Sequence, residues 1–291
     1  MNSNDIDLIV EAVTRKVKER LADGQFAMSN TCDASASDCD ACGNCVVRRP
    51  DDVQKIVDLG AVRLGIRGTT SEGVARFIDH TLLKPDATKE ELLTLCNEAK
   101  QHQFFSVCVN SSNVEFCKRA LSGTTVKVVA VVGFPLGAAS SGTKAYEARE
   151  AINAGAEEID MVLNIGAMKS RNYALALDDI AKVVEASRNR KVKVIIETSN
   201  LTNTEKIIAC ALSKAAGAHF VKTSTGFGGG GATAEDVALM KEVVGADMEV
   251  KASGGIRSYQ DVSNMLEAGA TRVGASASVA IVQGKTAKTA Y

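Results

Sequence analysis

Five apolar runs in this chain enclose or end on a side chain foreign to a hydrophobic core. Asp79 follows Phe77 and Ile78. Asp160 sits within Glu158-Ile159-Asp160-Met161-Val162-Leu163. Glu197 and Thr198 close Val194-Ile195-Ile196. Lys222 follows His219-Phe220-Val221, and Lys251 follows Glu249-Val250. A lysine is rarely buried without a partner or a task. Two lysines side by side disfavour each other's protonation, which lowers an amine pKa. A neutral amine can attack a carbonyl and form an imine, and a carboxylate such as Asp160 in the same space can pair with a lysine or move protons. A structural Lys–Asp ion pair is the competing reading. The meeting of two lysines and one aspartate at three run ends favours imine chemistry over it.

A second constellation is rich in glycine. Thr223-Ser224-Thr225-Gly226-Phe227-Gly228-Gly229-Gly230-Gly231 follows the Lys222 run and precedes a helical pattern near Thr233. Backbone N–H groups without side chains can cradle an anion, and a helix N-terminus adds positive potential. Ser253-Gly254-Gly255 and Gly274-Ala275-Ser276 repeat the device after the next two runs. Four consecutive glycines alone could equally be a flexible lid, but three such loops together point to a phosphate-bearing substrate.

These residues need elements to position them. Strand-length apolar runs cover 75–83, 104–110, 127–134, 157–164, 192–198, 218–224, 248–253 and 271–276. Amphipathic stretches lie between them at 89–102, 143–154, 173–188, 203–215, 233–244 and 258–268. The joints Ala154-Gly155-Ala156, Ala216-Gly217-Ala218 and Ala268-Gly269-Ala270 each end a helix before a strand, with a glycine where a left-handed residue closes the last turn. Alternating strands and helices with short joints make a parallel sheet. Eight units predict an α/β fold of the closed (β/α)8 TIM-barrel type, with functional groups at the C-terminal strand ends and phosphate at the loops after strands seven and eight. An open doubly wound sheet is disfavoured, because Asp79-His80-Thr81 stands where its glycine-rich fingerprint belongs.

Composition sets the class. The chain has 291 residues, 45% of them hydrophobic and 24% charged. Lys+Arg is 34 against Asp+Glu 35, a net charge of -1, which argues against a nucleic-acid partner. The longest apolar run, Val128 to Ala139, is too short for a transmembrane segment and contains Gly133 and Pro135. No secretory signal pattern opens the chain. The expected compartment is the cytoplasm, where the eight cysteines would be reduced and clustered ones would be metal or redox candidates.

Seven stretches in one order resemble deoxyribose-phosphate aldolases, a family of class I aldolases. They are Asp79-His80-Thr81-Leu82-Leu83-Lys84, Ser106-Val107-Cys108-Val109-Asn110, Val132-Gly133-Phe134-Pro135-Leu136-Gly137, Glu158-Ile159-Asp160-Met161-Val162, Val194-Ile195-Ile196-Glu197-Thr198, the run from Phe220 to Gly231, and Lys251-Ala252-Ser253-Gly254-Gly255-Ile256-Arg257. The resemblance covers about residues 75–291. It implies reversible cleavage of 2-deoxy-D-ribose 5-phosphate to D-glyceraldehyde 3-phosphate and acetaldehyde, with no cofactor for catalysis and a homo-oligomeric enzyme. Lys222 matches the Schiff-base lysine, Lys251 the lysine that depresses its pKa, and Asp160 the acid/base carboxylate. Tyr291 matches a closing tyrosine that assists proton transfer in some members. Asp79, Thr81, Cys108, Thr223, Gly226, Gly254, Gly255, Gly274 and Ser276 fall at substrate- and phosphate-binding positions. Phe227 departs from the lysine some relatives carry near the phosphate, which leaves more of the binding to backbone donors. Another Schiff-base lyase on a phosphorylated sugar, or a non-catalytic barrel scaffold, are the alternatives.

Three segments follow: a helix in 1–22, a Cys-rich segment in 23–50 and the barrel in 51–291. Ile6, Ile9, Val10, Val13, Val17 and Leu21 form one apolar stripe over 5–22. That helix and its polar linker resemble encapsulation peptides of bacterial microcompartment enzymes, which implies shell or cargo proteins as partners and a place inside a microcompartment. An oligomerisation helix, a helix packed on the barrel and a membrane-surface helix are the other readings. Cys39-Asp-Ala-Cys42-Gly-Asn-Cys45 before Pro50 resembles the cluster-binding run of bacterial ferredoxins. Arg49 occupies the place of the fourth cysteine, so Cys32 would complete a set of four for an iron–sulfur cluster or a zinc ion.

Overall fold

The computed structural model describes residues 71–287, together with Leu8, Glu11, Ala12 and Arg15. Those four positions are helical and exposed. The rest of the 5–22 stripe, the Cys32, Cys39, Cys42 and Cys45 set and Tyr291 lie outside the described residues.

Eight parallel strands close into a barrel in sequence order: β1 (Ile78–Leu82), β2 (Ser106–Asn110), β3 (Lys127–Val132), β4 (Glu158–Val162), β5 (Lys191–Ile195), β6 (Phe220–Lys222), β7 (Glu249–Ser253) and β8 (Arg272–Ala275). β1 pairs with β8, which closes the ring. All eight expected runs are strands, with two corrections. The first run is trimmed, because Glu72–Phe77 is a 3-10 turn. β6 is only three residues long, because Thr223–Thr225 leave the sheet to bond Glu197 and β7.

Helices return each strand to the next. The principal ones are α1 (Lys89–His102), α2 (Val114–Ala120), α3 (Ser141–Asn153), α4 (Ile165–Lys169), α5 (Tyr173–Ala186), α6 (Asn203–Ala215), α7 (Ala234–Val244), α8 (Tyr259–Glu267) and α9 (Ser278–Val282). Their starts are written locally. Thr88 with Glu91, Thr202 with Glu205 and Ser258 with Asp261 are reciprocal capping boxes, which satisfy N–H groups the first turn leaves open. Their ends follow the three Ala-Gly-Ala joints. Gly155, Gly217 and Gly269 take φ of 111°, 80° and 108°, and the next alanine N–H reaches back to Ala151, Ser213 and Met265 at 2.9–3.0 Å. These are Schellman closures.

Alternation along the strands separates two environments. The faces toward the helices are apolar: Val107 and Val109, Ile159 and Met161, Val192 and Val194, Val250 and Ala252 are all buried. The opposite, lumenal set contains Asp79, Ser106, Glu158, Asp160, Lys193, Lys222, Lys251 and Arg272, also buried. The hydrophobic core is therefore the shell between sheet and helices, and the barrel's axis is charged.

Candidate active site

Register places the chemistry. Lys222 on β6 pairs directly with Lys251 on β7, and Asp160 on β4 pairs with Lys193 on β5. The four side chains point into one lumen and converge on the aspartate. Asp160 Oδ2 accepts from Lys222 Nζ and Lys251 Nζ, each at 2.8 Å, while Oδ1 accepts from Lys193 Nζ at 2.8 Å. Lys251 also pairs with Asp79. Asp79 Oδ1 accepts from Ser106 Oγ at 2.6 Å and from the Arg272 guanidinium at 3.0 Å. Arg272 and Lys193 both reach Glu158, at 3.1 and 2.7 Å. The Arg272 guanidinium rests over the Phe105 ring, 3.3 Å from its centroid.

The electrostatics follow from who faces whom. Burial would raise the Asp160 carboxyl, but the ammonium groups of Lys193, Lys222 and Lys251 outweigh it and hold it well below the usual carboxylate range. Burial raises Asp79 too, and Lys251 with Arg272 again reverses the sign. Burial would lower the Lys251 amine, yet the Asp160 and Asp79 carboxylates push it well above the ordinary lysine value. This corrects the expectation drawn from two adjacent lysines. For Lys251 the nearby carboxylates outweigh the like charge, so it is a fixed cation in the resting site. The sequence pattern missed Lys193, Glu158, Arg272 and Ser106 as members of the network. Their signal was present, as polar residues spaced two apart with Asp160 or Lys222 on otherwise apolar strands, but it needs the lumen to give it meaning.

Above the charged layer a cleft opens. Lys222 forms part of its lining with Thr81, Gly226, Gly254, Gly255, Gly274 and Ser276, so most of the expected substrate positions meet in one place. Leu83, Thr225, Ser253 and Ile256 line it as well. Three expected contacts lie elsewhere. Asp79 is sealed beneath in its ion pair with Lys251. Thr223 is buried and ties β6 to β7, its hydroxyl donating to the Ser253 carbonyl and accepting from the Ser253 N–H at 3.0 Å each. Cys108 is fully buried against Leu83, Val129 and Val131, with Phe134 packed on them, and burial pushes its thiol up. It is a wall residue, not a lining one.

The glycine run is packed in place. A Cβ on Gly231 would stand 2.5 Å from the Gly254 carbonyl oxygen, and one on Gly230 would meet Ser199 Cβ at 2.4 Å. Ala232 N–H donates to that Gly254 carbonyl at 3.0 Å, and Ser253 Oγ to the Ser224 carbonyl at 2.6 Å. The loops after β6 and β7 are thereby interlocked. Glu197, left without a role by the sequence pattern, anchors the run's start. It sits at a left-handed φ of 53°, and its Oε2 accepts from the Thr225 N–H at 3.1 Å and from the Thr225 hydroxyl. Phe227, where some relatives carry a lysine, packs edge-on against Phe134 with centroids 5.3 Å apart.

Among the described residues no helix is long and apolar enough to cross a membrane. The arrangement offers a nucleophilic amine, a carboxylate in contact with it, a fixed cation beside both, and a glycine-lined recess next to them.

Comparisons with known proteins agree on one group. The profile of the DeoC/LacD family aldolases matches residues 74–285. The deoxyribose-phosphate aldolase of Staphylococcus epidermidis is 60% identical over 217 residues, covering 75% of this chain and 99% of that relative. The deoxyribose-phosphate aldolase of Bdellovibrio bacteriovorus is 56% identical over 218 residues, with 75% and 99% covered. Among solved structures, the tetrameric deoxyribose phosphate aldolase of Aeropyrum pernix superposes with a TM-score of 0.70 at 32% identity, covering 79% of this chain and 96% of that one.

Proposed function

The chain belongs to the DeoC/LacD family of aldolases, and from that membership we infer how its lumen performs the family's chemistry, with Lys222 as the imine-forming amine. The enzyme is a class I aldolase, an aldehyde-lyase that reversibly cleaves 2-deoxy-D-ribose 5-phosphate to D-glyceraldehyde 3-phosphate and acetaldehyde.

The observation that carries the assignment is a single carboxylate oxygen, Asp160 Oδ2, in contact with both amines. The phosphate rests against the glycine loops after β6, β7 and β8, which brings the sugar's carbonyl carbon to Lys222. The neutral Lys222 amine adds to that carbon. The carbinolamine loses water to an iminium, with Asp160 passing the proton to the departing hydroxyl. The iminium is then the electron sink. Removal of the proton from the C3 hydroxyl breaks the C2–C3 bond, glyceraldehyde 3-phosphate leaves, and the bonding pair remains on the enzyme-bound enamine. Protonation of that carbon and addition of water release acetaldehyde and regenerate the amine. No step calls for a metal or an organic cofactor. Lys251, held cationic by its carboxylates, keeps positive charge beside the reacting nitrogen and favours its neutral form for attack.

Borohydride reduction in the presence of 2-deoxy-D-ribose 5-phosphate tests this. Peptide mass spectrometry is expected to find a stable secondary amine on Lys222 and none in Lys222→Ala. Folded enzyme that turns over substrate without such an adduct would refute the assignment.

The finer roles belong to the same proposal. Tyr291 assists proton transfer at the mouth. The enzyme is a homo-oligomer, a reading supported by the tetrameric state of the Aeropyrum pernix relative. Residues 5–22 dock on shell or cargo proteins of a microcompartment, which would confine a volatile, reactive aldehyde. Cys32, Cys39, Cys42 and Cys45 hold an iron–sulfur cluster or zinc outside the catalytic chemistry, supported by their spacing.

A further inference from the structure

Helix α3 sends two charged side chains, Lys144 and Glu147, back to the barrel's rim. Lys144 is fully buried. Its Nζ donates to Asp179 Oδ2 on α5 at 2.6 Å and to the Val162 carbonyl at 2.8 Å. Glu147 accepts from the Gly133 N–H and from Ser111 Oγ, each at 2.8 Å. Ser111, Gly133 and Val162 stand at the C-terminal ends of β2, β3 and β4. One helix therefore ties three consecutive strand ends together.

The chain around Lys144 is shaped to admit it. Gly133 has φ of 61°, and a Cβ there would stand 2.9 Å from Lys144 Cε. Gly137, at the far end of the same loop, lies so close to β4 that a Cβ would come within 2.1 Å of the Leu163 carbonyl oxygen. The ion pair itself is costly to bury. Desolvation pushes the Lys144 amine down and the Asp179 carboxyl up, and a well-packed apolar pair of similar volume is often as stable as a buried salt bridge. Stability alone is a weak reason for its presence. Its other contact supplies a better one: Val162 is the last residue of β4, two beyond Asp160.

We propose that Lys144 is a positioning residue for the aldol reaction, which acts through the Val162 carbonyl to hold β4, and with it Asp160, in reach of Lys222 and Lys251. The inference rests on the reading of Asp160 as the proton-transfer group. Asp160 must serve two amines with one oxygen, so a small shift of β4 breaks one contact or both. Misplacement by about 1 Å costs on the order of a hundredfold in rate.

The double variant Lys144→Met/Asp179→Leu removes both charges and roughly keeps the volume. It is expected to fold with a Tm close to that of the parent. Its kcat on 2-deoxy-D-ribose 5-phosphate should fall roughly ten- to a hundredfold, with KM little changed, and borohydride-trappable imine on Lys222 should form correspondingly more slowly with acetaldehyde. Its pH–rate profile should change shape, which a purely structural pair would not cause. A folded double variant with parental kcat and pH profile overturns the proposal, and so does one that fails to fold, since the pair is then structural. Gly133→Ala gives a second route, because it crowds the lysine stem with both charges present. It should lower kcat in the parent and add little in the double variant, while an equal loss in both backgrounds, or none in the parent, again overturns the proposal. A parent that yields no adduct on Lys222 marks failure of the underlying catalytic reading instead.

Discussion

Asp160 binds three ammonium groups with two oxygens, and that crowding defines the chemistry at the scale of single residues. In the buried network Asp79, Glu158 and Asp160 face Lys193, Lys222, Lys251 and Arg272. Three carboxylates against four cations leave one positive charge over, and the loss of one proton balances the set. Lys222 is the member of the four that lines the cleft, so balance and access select the same amine as nucleophile. Lys251 is then needed as a charge more than as a donor. Lys251→Met should fold, keep KM within about threefold, and lose roughly 10²- to 10⁴-fold in kcat. Borohydride trapping at Lys222 should slow in proportion. Undiminished trapping would mean that the cation beside the amine is dispensable. The two lysines and Asp160 were legible in the sequence because each interrupts an apolar run. The sign of the Lys251 shift was not, because Asp79 and Asp160 reach it from β1 and β4, far away along the chain.

At the scale of elements, most boundaries are local chemistry. Thr88, Thr202 and Ser258 open helices through their own side chains, and Gly155, Gly217 and Gly269 close them. The long helices were readable for that reason. Val114–Ala120, Ile165–Lys169 and Ser278–Val282 were not, because five to seven residues complete too few turns to display a period. The glycine loops belong to this scale as well. Their spacing signalled an anion site, while their rigidity appears only where Gly231 meets the Gly254 carbonyl. Gly231→Ala should force those two loops apart. We expect a raised KM for 2-deoxy-D-ribose 5-phosphate and little change in kcat/KM for unphosphorylated 2-deoxyribose. Equal losses on both substrates would show that the loops serve the amine and not the phosphate.

At the scale of the whole molecule, the barrel concentrates buried charge on its axis, and stability must follow pH accordingly. The folded-state values of Asp79 and Asp160 are depressed. Below about pH 4 the unfolded chain takes up protons that the folded chain does not. Their contribution is thus present above that range and lost as pH falls. Lys251 is raised, so its contribution is full below about pH 10 and lost as pH rises further. Tm should show a plateau between these limits and fall on both sides, with a shallower acid limb in Asp79→Asn, and thermal unfolding across pH would show it. The extension is a separate matter. Deletion of residues 1–50 should leave kcat intact and abolish co-purification with microcompartment shells. Loss of kcat would instead make the extension part of the folded enzyme.

The order of eight strands, their helical returns, the phosphate loops and the identity of Lys222, Lys251 and Asp160 were all determined by the sequence alone. Each rests on periodicity, capping or a polar interruption within a few residues of chain. Closure of the ring was decided at the tertiary level, and closure is what gives those polar residues a common lumen. It brings Asp79 of β1 against Arg272 of β8, sets Lys193 and Glu158 beneath the catalytic trio, and passes the end of β4 to Lys144 on a neighbouring helix. Coulomb forces between buried groups act through space, so the charge state of each residue is settled by neighbours that no stretch of sequence places beside it.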